Sequence, residues 1–189
     1  MRDLVVTENI TLDGVIDATG GWFDVSDNPE ADQSDLQAAL GEQAAAADAV
    51  LFGRVTFEEM RSYWPEQTDD TTGVSDYLNR VAKYVVSATL DDPAWEPTTV
   101  LPADRLEDAI RALKAEPSRD IVTTGSITLV HALIGAGLVD EYRLFVYPVV
   151  LGRGRRLFPE GTSVPALRLV EIRPFRSGVV LLRYRPAPA

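Results

Sequence analysis

The chain has 189 residues, of which 46% are hydrophobic and 25% charged, a composition that fits one globular domain and lies outside the disordered and membrane classes. Its net charge of −11 argues against nonspecific nucleic-acid binding, which needs a basic surface to neutralise phosphates. With no cysteine and a single histidine, disulfides, thiolate chemistry and a multi-histidine metal site within one chain are excluded, and no metal is expected.

In chain order, Leu4 to Ile10 is a β-branched run that predicts a buried first strand, ended by Leu12-Asp13-Gly14. Val15 to Asp32 reads as a long loop holding Trp22 and Phe23, and a loop of that length in a compact domain is usually functional. Ser34 or Asp35 is placed to cap a helix running to about Ala47. A strand over Ala49 to Phe52 then meets Gly53-Arg54 and a short helix stopped at Pro65. Val74 to Ala82 predicts a weaker helix and Lys83 to Ser87 a strand. Thr98 to Leu101 reads as a short strand and Asp104 to Ala115 as a helix with Leu106, Ile110 and Leu113 on one face. Asp120 to Thr124 is a strand that runs into Gly125-Ser126, followed by a helix from Ile127 to Ala136 closed by Gly137. Tyr142 to Val150 predicts a long strand. Leu167 to Pro174 and Val179 to Arg185 pair through a turn at Ser177-Gly178.

Alternating strands and helices followed by a hairpin predict an α/β fold: a mainly parallel sheet with helices on both faces and an antiparallel C-terminal pair, in one domain over 1–189. The N-terminus is charged where a secretory signal needs an apolar core, and no stretch approaches the roughly 20 apolar residues of a membrane span. Cytoplasmic residence without a membrane partner is the expectation. Nine arginines against three acids lie from Glu141 onward, and Arg153, Arg155 and Arg156 form the densest basic cluster.

In such sheets ligands bind beyond the carboxyl ends of the strands. Those ends are Asp13-Gly14, Gly53-Arg54, Ser87-Ala88 and Gly125-Ser126. Helix starts with unpaired N–H groups, an arginine and a serine hydroxyl suit the phosphates of a dinucleotide. None follows G-x-G-x-x-G, and Gly152-Arg153-Gly154 lies between antiparallel strands, out of context for that motif.

GRVTFE at Gly53 to Glu58, VVSATL at Val85 to Leu90, TTGS at Thr123 to Ser126, and GLVDEYRLFVYPVVLGRGRRLF at Gly137 to Phe158 resemble the dihydrofolate reductase superfamily. The likeness is to the branch related to the C-terminal half of the bacterial bifunctional riboflavin deaminase-reductase. NITLDGVI at Asn9 to Ile16 is similar to that branch's S-L-D-G motif, with Thr11 in place of serine. The resemblance covers nearly the whole chain, with the motifs in the family's order.

The resemblance implies a three-layer sandwich and NADPH as cofactor. It places Gly53, Arg54, Val55 and Thr56 at the cofactor phosphates, with Arg54 on the ribose 2′-phosphate, and Ser87 and Ala88 at the adenosine end. Gly125, Ser126 and Ile127, flanked by Thr124 and Thr128, would cradle the pyrophosphate, although many relatives carry two glycines where this chain has Gly125-Ser126. Asp13 and Asp35 are the candidates to supply a proton or polarise the substrate. Asp13 is carried by the branch motif; Asp35-Leu36 matches the acid-leucine pair of dihydrofolate reductases proper. Trp22, Tyr63, Trp64 and Tyr147 are candidates to line the substrate pocket, and His131 reads as structural.

The expected activity is hydride transfer to a small pterin-like or pyrimidine-like heterocycle. The alternatives are a 5-amino-6-(ribosylamino)uracil reductase or a nicotinamide-nucleotide-binding protein without turnover. The hairpin and the strand from Leu144 to Val150 suggest, by the same resemblance, a homodimer.

Overall fold

A computed structural model describes residues 1–23 and 32–187, so part of the predicted long loop, residues 24–31, lies outside the described residues. The strands are β1 (Leu4–Thr11), β2 (Ala47–Gly53), β3 (Ala82–Ser87), β4 (Thr98–Pro102), β5 (Asp120–Thr123), β6 (Glu141–Tyr147), β7 (Leu167–Pro174) and β8 (Val180–Pro186). The helices are α1 (Ser34–Ala46), α2 (Arg54–Tyr63), α3 (Val74–Arg80), α4 (Leu106–Ala115) and α5 (Ile127–Gly135). The strands form one sheet in the order β4-β3-β2-β5-β1-β6-β8-β7. Pairing is parallel from β4 through β6 and antiparallel for β6–β8 and β8–β7.

Strand alternation assigns the layers. Ala49 and Leu51 of β2 and Tyr142 and Leu144 of β6 share one core with Leu4, Val6 and Ile10 of β1, under α4 and α5. The intervening residues point the other way, into two separate clusters. Phe145 and Tyr147 pack with Leu36 and Ala39 of α1, while Val50 and Phe52 pack with Phe57 of α2 and Leu78 of α3. On this second face α1 therefore covers the β6 side and α2 with α3 the β2 side. Alternation puts Thr7 and Asn9 of β1, both half-buried, on the sheet between them.

The structure moves several predicted boundaries. β6 stops at Tyr147 because Pro148 has no N–H to continue the ladder, three residues short of the expected end. Neither Ser34 nor Asp35 caps α1. Its N-cap is Gln33, the Ser34 N–H is taken by Asp32 at 2.9 Å, and β2 begins as soon as the helix ends. Gly137, with φ of +63°, closes α5 as expected: its N–H reaches Ile134 O and that of Leu138 reaches Leu133 O, both at 3.0 Å.

Two charged groups absent from the sequence reading are built into the packing. Lys83 is buried beside α3, donating to Leu78 O at 2.7 Å and Val81 O at 3.1 Å with Trp95 beneath it, and burial lowers it to about 8. On the α1 face, Arg143, Glu141, Arg183, Glu171, Arg173 and Glu42 form a chain of ion pairs of 2.6–2.8 Å.

Candidate functional site

The carboxyl ends of β1, β2, β5 and β6 lie side by side because these strands run parallel at the centre of the sheet. β2 runs straight into α2, and β5 reaches α5 through the short turn 124–126, so α2 and α5 start next to each other at the carboxyl ends of the strands. Their turns are joined by side chains. The Gly53 N–H donates to Ser126 Oγ at 2.9 Å, and the Ser126 N–H donates to Thr56 Oγ1 at 3.0 Å. A side chain at Gly125 would lie 3.4 Å from the Thr56 methyl, and one at Gly53 would lie 3.6 Å from Ser126 Cβ, so the two turns touch through their glycines. Gly125 and Ser126 both have left-handed backbone, with φ of +59° and +48°. That conformation requires glycine or tolerates a small polar residue.

These bonds refine how phosphates could be held. The N–H groups of Gly53, Gly125 and Ser126 are already taken by protein acceptors, so they are not the donors of a cradle. The first three N–H groups of each helix, on Arg54, Val55 and Thr56 and on Ile127, Thr128 and Leu129, have no intrahelical acceptor and carry the positive end of the helix dipole. Arg54, Val55 and Thr128 are exposed at those starts, whereas Ile127 is buried and offers only its backbone. The Arg54 guanidinium rests on Glu58 at 2.7 Å, an exposed pair one helical turn apart. Thr124 lies half-buried between β5 and the turn. At β3, the Ser87 hydroxyl accepts the Thr89 and Leu90 N–H groups at 3.1 and 3.0 Å, shaping the turn that leaves Ala88 exposed.

Behind Gly125 stands Glu8, which the motif reading passes over. Its phase with Leu4, Val6 and Ile10 turns it inward, a signal that the sequence does contain. Glu8 is 4% exposed; its Oε2 accepts the Gly125 N–H at 3.1 Å and its Oε1 is buried without a partner. Burial pushes this carboxyl well above the ordinary range, and the single backbone bond offsets that only in part.

Asp13 is in the opposite condition. The Thr11 hydroxyl donates to it at 2.6 Å, the Gly152 N–H at 2.8 Å and the Leu151 N–H at 3.3 Å, and together they hold it down to about 2. It is an ionised clamp between the β1 turn and the arginine loop. That loop is braced further: Arg155 pairs with Asp17 at 3.1 Å, Arg156 Nε donates to Asp13 O at 3.0 Å, and His131 Nε2 lies 2.8 Å from Arg156 O. Asp35 sits at the start of α1 and accepts the Arg176 N–H at 3.1 Å, tying the helix to the β7–β8 turn.

The four candidate pocket aromatics fall into two groups. Trp22 meets Tyr147 and Phe23 edge-on, with centroids 5.6 and 5.5 Å away, and its indole N–H donates to Asp17 O at 2.7 Å. Tyr63 and Trp64 meet each other at 5.1 Å at the far end of α2, where Trp64 packs against the α2–α3 cluster and Tyr63 is exposed.

With its motifs located on this fold, the chain can be compared with known proteins. Residues 2–181 match the family described as the RibD C-terminal domain. The chain belongs to that family. As a RibD C-terminal domain it is 31% identical over 187 residues to the uncharacterized protein YyaP of Bacillus subtilis (strain 168), covering 97% of this chain and 94% of that protein. Two solved structures show the same fold. One is a protein assigned to riboflavin biosynthesis from Shewanella sp. PV-4, with a TM-score of 0.73 at 21% identity and coverage of 98% and 99%. The other is the diaminohydroxyphosphoribosylaminopyrimidine deaminase/5-amino-6-(5-phosphoribosylamino)uracil reductase of Thermotoga maritima, with a TM-score of 0.65 at 18% identity, covering 98% of this chain and 57% of that one. The resemblance of the motifs and the α/β architecture are thus both confirmed. Among the described residues, no helix is long and apolar enough to cross a membrane.

Proposed function

We propose that the chain is a reductase that takes a hydride from NADPH and delivers it to a small pyrimidine-like or pterin-like heterocycle. The observation that carries this reading is the joining of two helix starts at the carboxyl edge of the sheet, with Arg54 exposed at the first position of α2. Two sets of free N–H groups side by side fit two linked phosphates. Arg54 fits a further phosphate because a guanidinium grips it bidentately, and its exposed pairing with Glu58 contributes little that must be given up. When bound, the reduced nicotinamide supplies the hydride.

The chain's own residues supply orientation. Thr7 and Asn9 lie on the sheet face between α1 and α2, and the Trp22–Tyr147 pair flanks it from the β6 side. A flat ring with amide-like edges suits such a lining. Asp13, ionised and engaged by three donors, is fitted to accept a hydrogen bond and orient a substrate rather than to release a proton. The substrate class also draws on solved relatives: the Thermotoga maritima protein is named a 5-amino-6-(5-phosphoribosylamino)uracil reductase, and one from Corynebacterium diphtheriae a pyrimidine reductase-like protein.

The test is direct. Arg54→Ala should weaken NADPH by about 10- to 100-fold, the worth of a charge-assisted bond, and NADH by less than about threefold. Equal losses for the two cofactors would remove Arg54 from the 2′-phosphate. NADPH oxidation with a panel of pyrimidines and pterins then decides turnover, and binding without oxidation on any of them would leave a cofactor-binding protein in place of an enzyme.

The proposal includes a homodimer. β7 is an edge strand whose Leu169, Val170 and Ile172 are exposed, and a second copy of the same edge can cover them across a two-fold axis. Sedimentation should give twice the 20.7 kDa chain mass; a single chain mass at micromolar concentration would reject it.

A further inference from the structure

We propose that Glu8 is a positioning residue for the cofactor, holding the β5–α5 turn from behind and making cofactor affinity depend on pH. The inference rests on the reading above that this turn faces the cofactor's pyrophosphate.

Three observations support it. First, the turn has two consecutive left-handed residues, Gly125 and Ser126, a conformation that must be held by its surroundings. Its N–H groups are fixed from two sides: Ser126 by Thr56 of α2, and Gly125 by Glu8 of β1. Glu8 thus sets where α5 begins, and with it the direction of the free N–H groups of Ile127, Thr128 and Leu129.

Second, one oxygen of Glu8 is buried without a partner, and so is Oγ1 of Thr123, which is on the same sheet face of the neighbouring strand. An ionised carboxylate there would have one donor for two charged oxygens. Leu144 of β6 is the register partner of Glu8 and Thr123 of β5 shares its sheet face; neither titrates, and no charged side chain among the described residues acts on it. Burial raises its carboxyl well above the ordinary range, and the Gly125 bond opposes that only in part.

Third, a neutral carboxyl can accept the Gly125 N–H through its carbonyl oxygen and still leave no charge behind the turn. If it ionises, a negative charge stands directly behind the position proposed for the pyrophosphate. Bound cofactor must then raise Glu8 further, so binding takes up a proton wherever the free protein has lost it. The sign is fixed: affinity falls as pH rises, with a limit of tenfold per pH unit for one coupled proton.

The experiment is the NADPH dissociation constant from pH 6 to pH 9.5 for the wild type, Glu8→Gln and Thr56→Val. Glutamine keeps an acceptor for Gly125 and cannot ionise. We expect the wild type to weaken by about fivefold or more across the range, with Glu8→Gln flat and close to the wild-type value at pH 6. Thr56→Val should bind more weakly at every pH but keep the wild-type slope, because it loosens the turn without touching the proton. A flat wild-type profile, or an equal slope in Glu8→Gln, would overturn the inference even if Glu8→Gln folded poorly, since the wild-type curve stands alone. Absence of NADPH binding by the wild type at any pH would instead sink the cofactor reading on which it rests.

Discussion

The inner end of the first strand and the turn that follows it carry two carboxyl groups, Glu8 and Asp13, whose surroundings push them in opposite directions. Glu8 faces the core, has one hydrogen-bond donor and is raised by burial; Asp13 is at the surface, has three donors and is lowered to about 2. The same residue chemistry becomes a buried prop behind the β5–α5 turn and a charged clamp on the arginine loop. The difference shows that a motif marks where a carboxylate is, while its donors and its burial decide what it can do. The aspartate that the motif brings forward is the poorer proton donor of the two.

The largest expected effect separates the two turns by their glycines. Gly125→Ala places a side chain at φ of +59° and 3.4 Å from the Thr56 methyl, and Gly14→Ala places one at φ of +84° with only Arg156 Cδ at 4.0 Å. Both should lower stability to urea by about 1–2 kcal/mol, the strain of a left-handed alanine. Only Gly125→Ala should also lose NADPH affinity, by about tenfold or more, because the start of α5 shifts with it. If Gly14→Ala cost as much affinity, the division between a cofactor turn and a loop clamp would fail.

How much of this was legible in the sequence follows the same division. Strand and helix identities rest on local patterns, so the alternation from Leu4 to Gly137 and the pairing of Leu167 to Pro174 with the last strand could be read directly. The positions of Gly53, Arg54, Gly125 and Ser126 at strand ends were legible too, since they follow from where the apolar runs stop. Which N–H groups those turns leave free was not. It depends on Ser126 reaching Gly53 and Thr56 reaching Ser126, contacts across some 70 residues that no local pattern encodes. Asp13 was legible as a turn residue but not as a clamp, because two of its three donors come from the distant Leu151 and Gly152. The separation of Tyr63 and Trp64 from Trp22 and Tyr147 likewise needed the placement of α2 against α3.

A pH series of urea midpoints would sharpen the contrast between the two carboxyls. Glu8 is raised in the folded state above its ordinary value of 4.5, so its contribution is fully present below that value and is lost as pH rises through the folded one. Stability of the wild type should therefore decline from pH 5 toward alkaline pH relative to Glu8→Gln, which cannot ionise. Asp13 is lowered from 3.8 to about 2, so its contribution is present above 3.8 and is lost as pH falls through 2. Asp13→Asn should be slightly less stable than the wild type at pH 6, and the gap should close toward pH 2 as the wild-type carboxylate takes up its proton. The effect at Asp13 is the smaller of the two because its surroundings are open to water, which screens the charge that its three donors favour. Two variants with gaps that open in opposite pH directions would establish that the pair is split by environment; gaps that stay constant with pH would mean that the substitutions report packing alone.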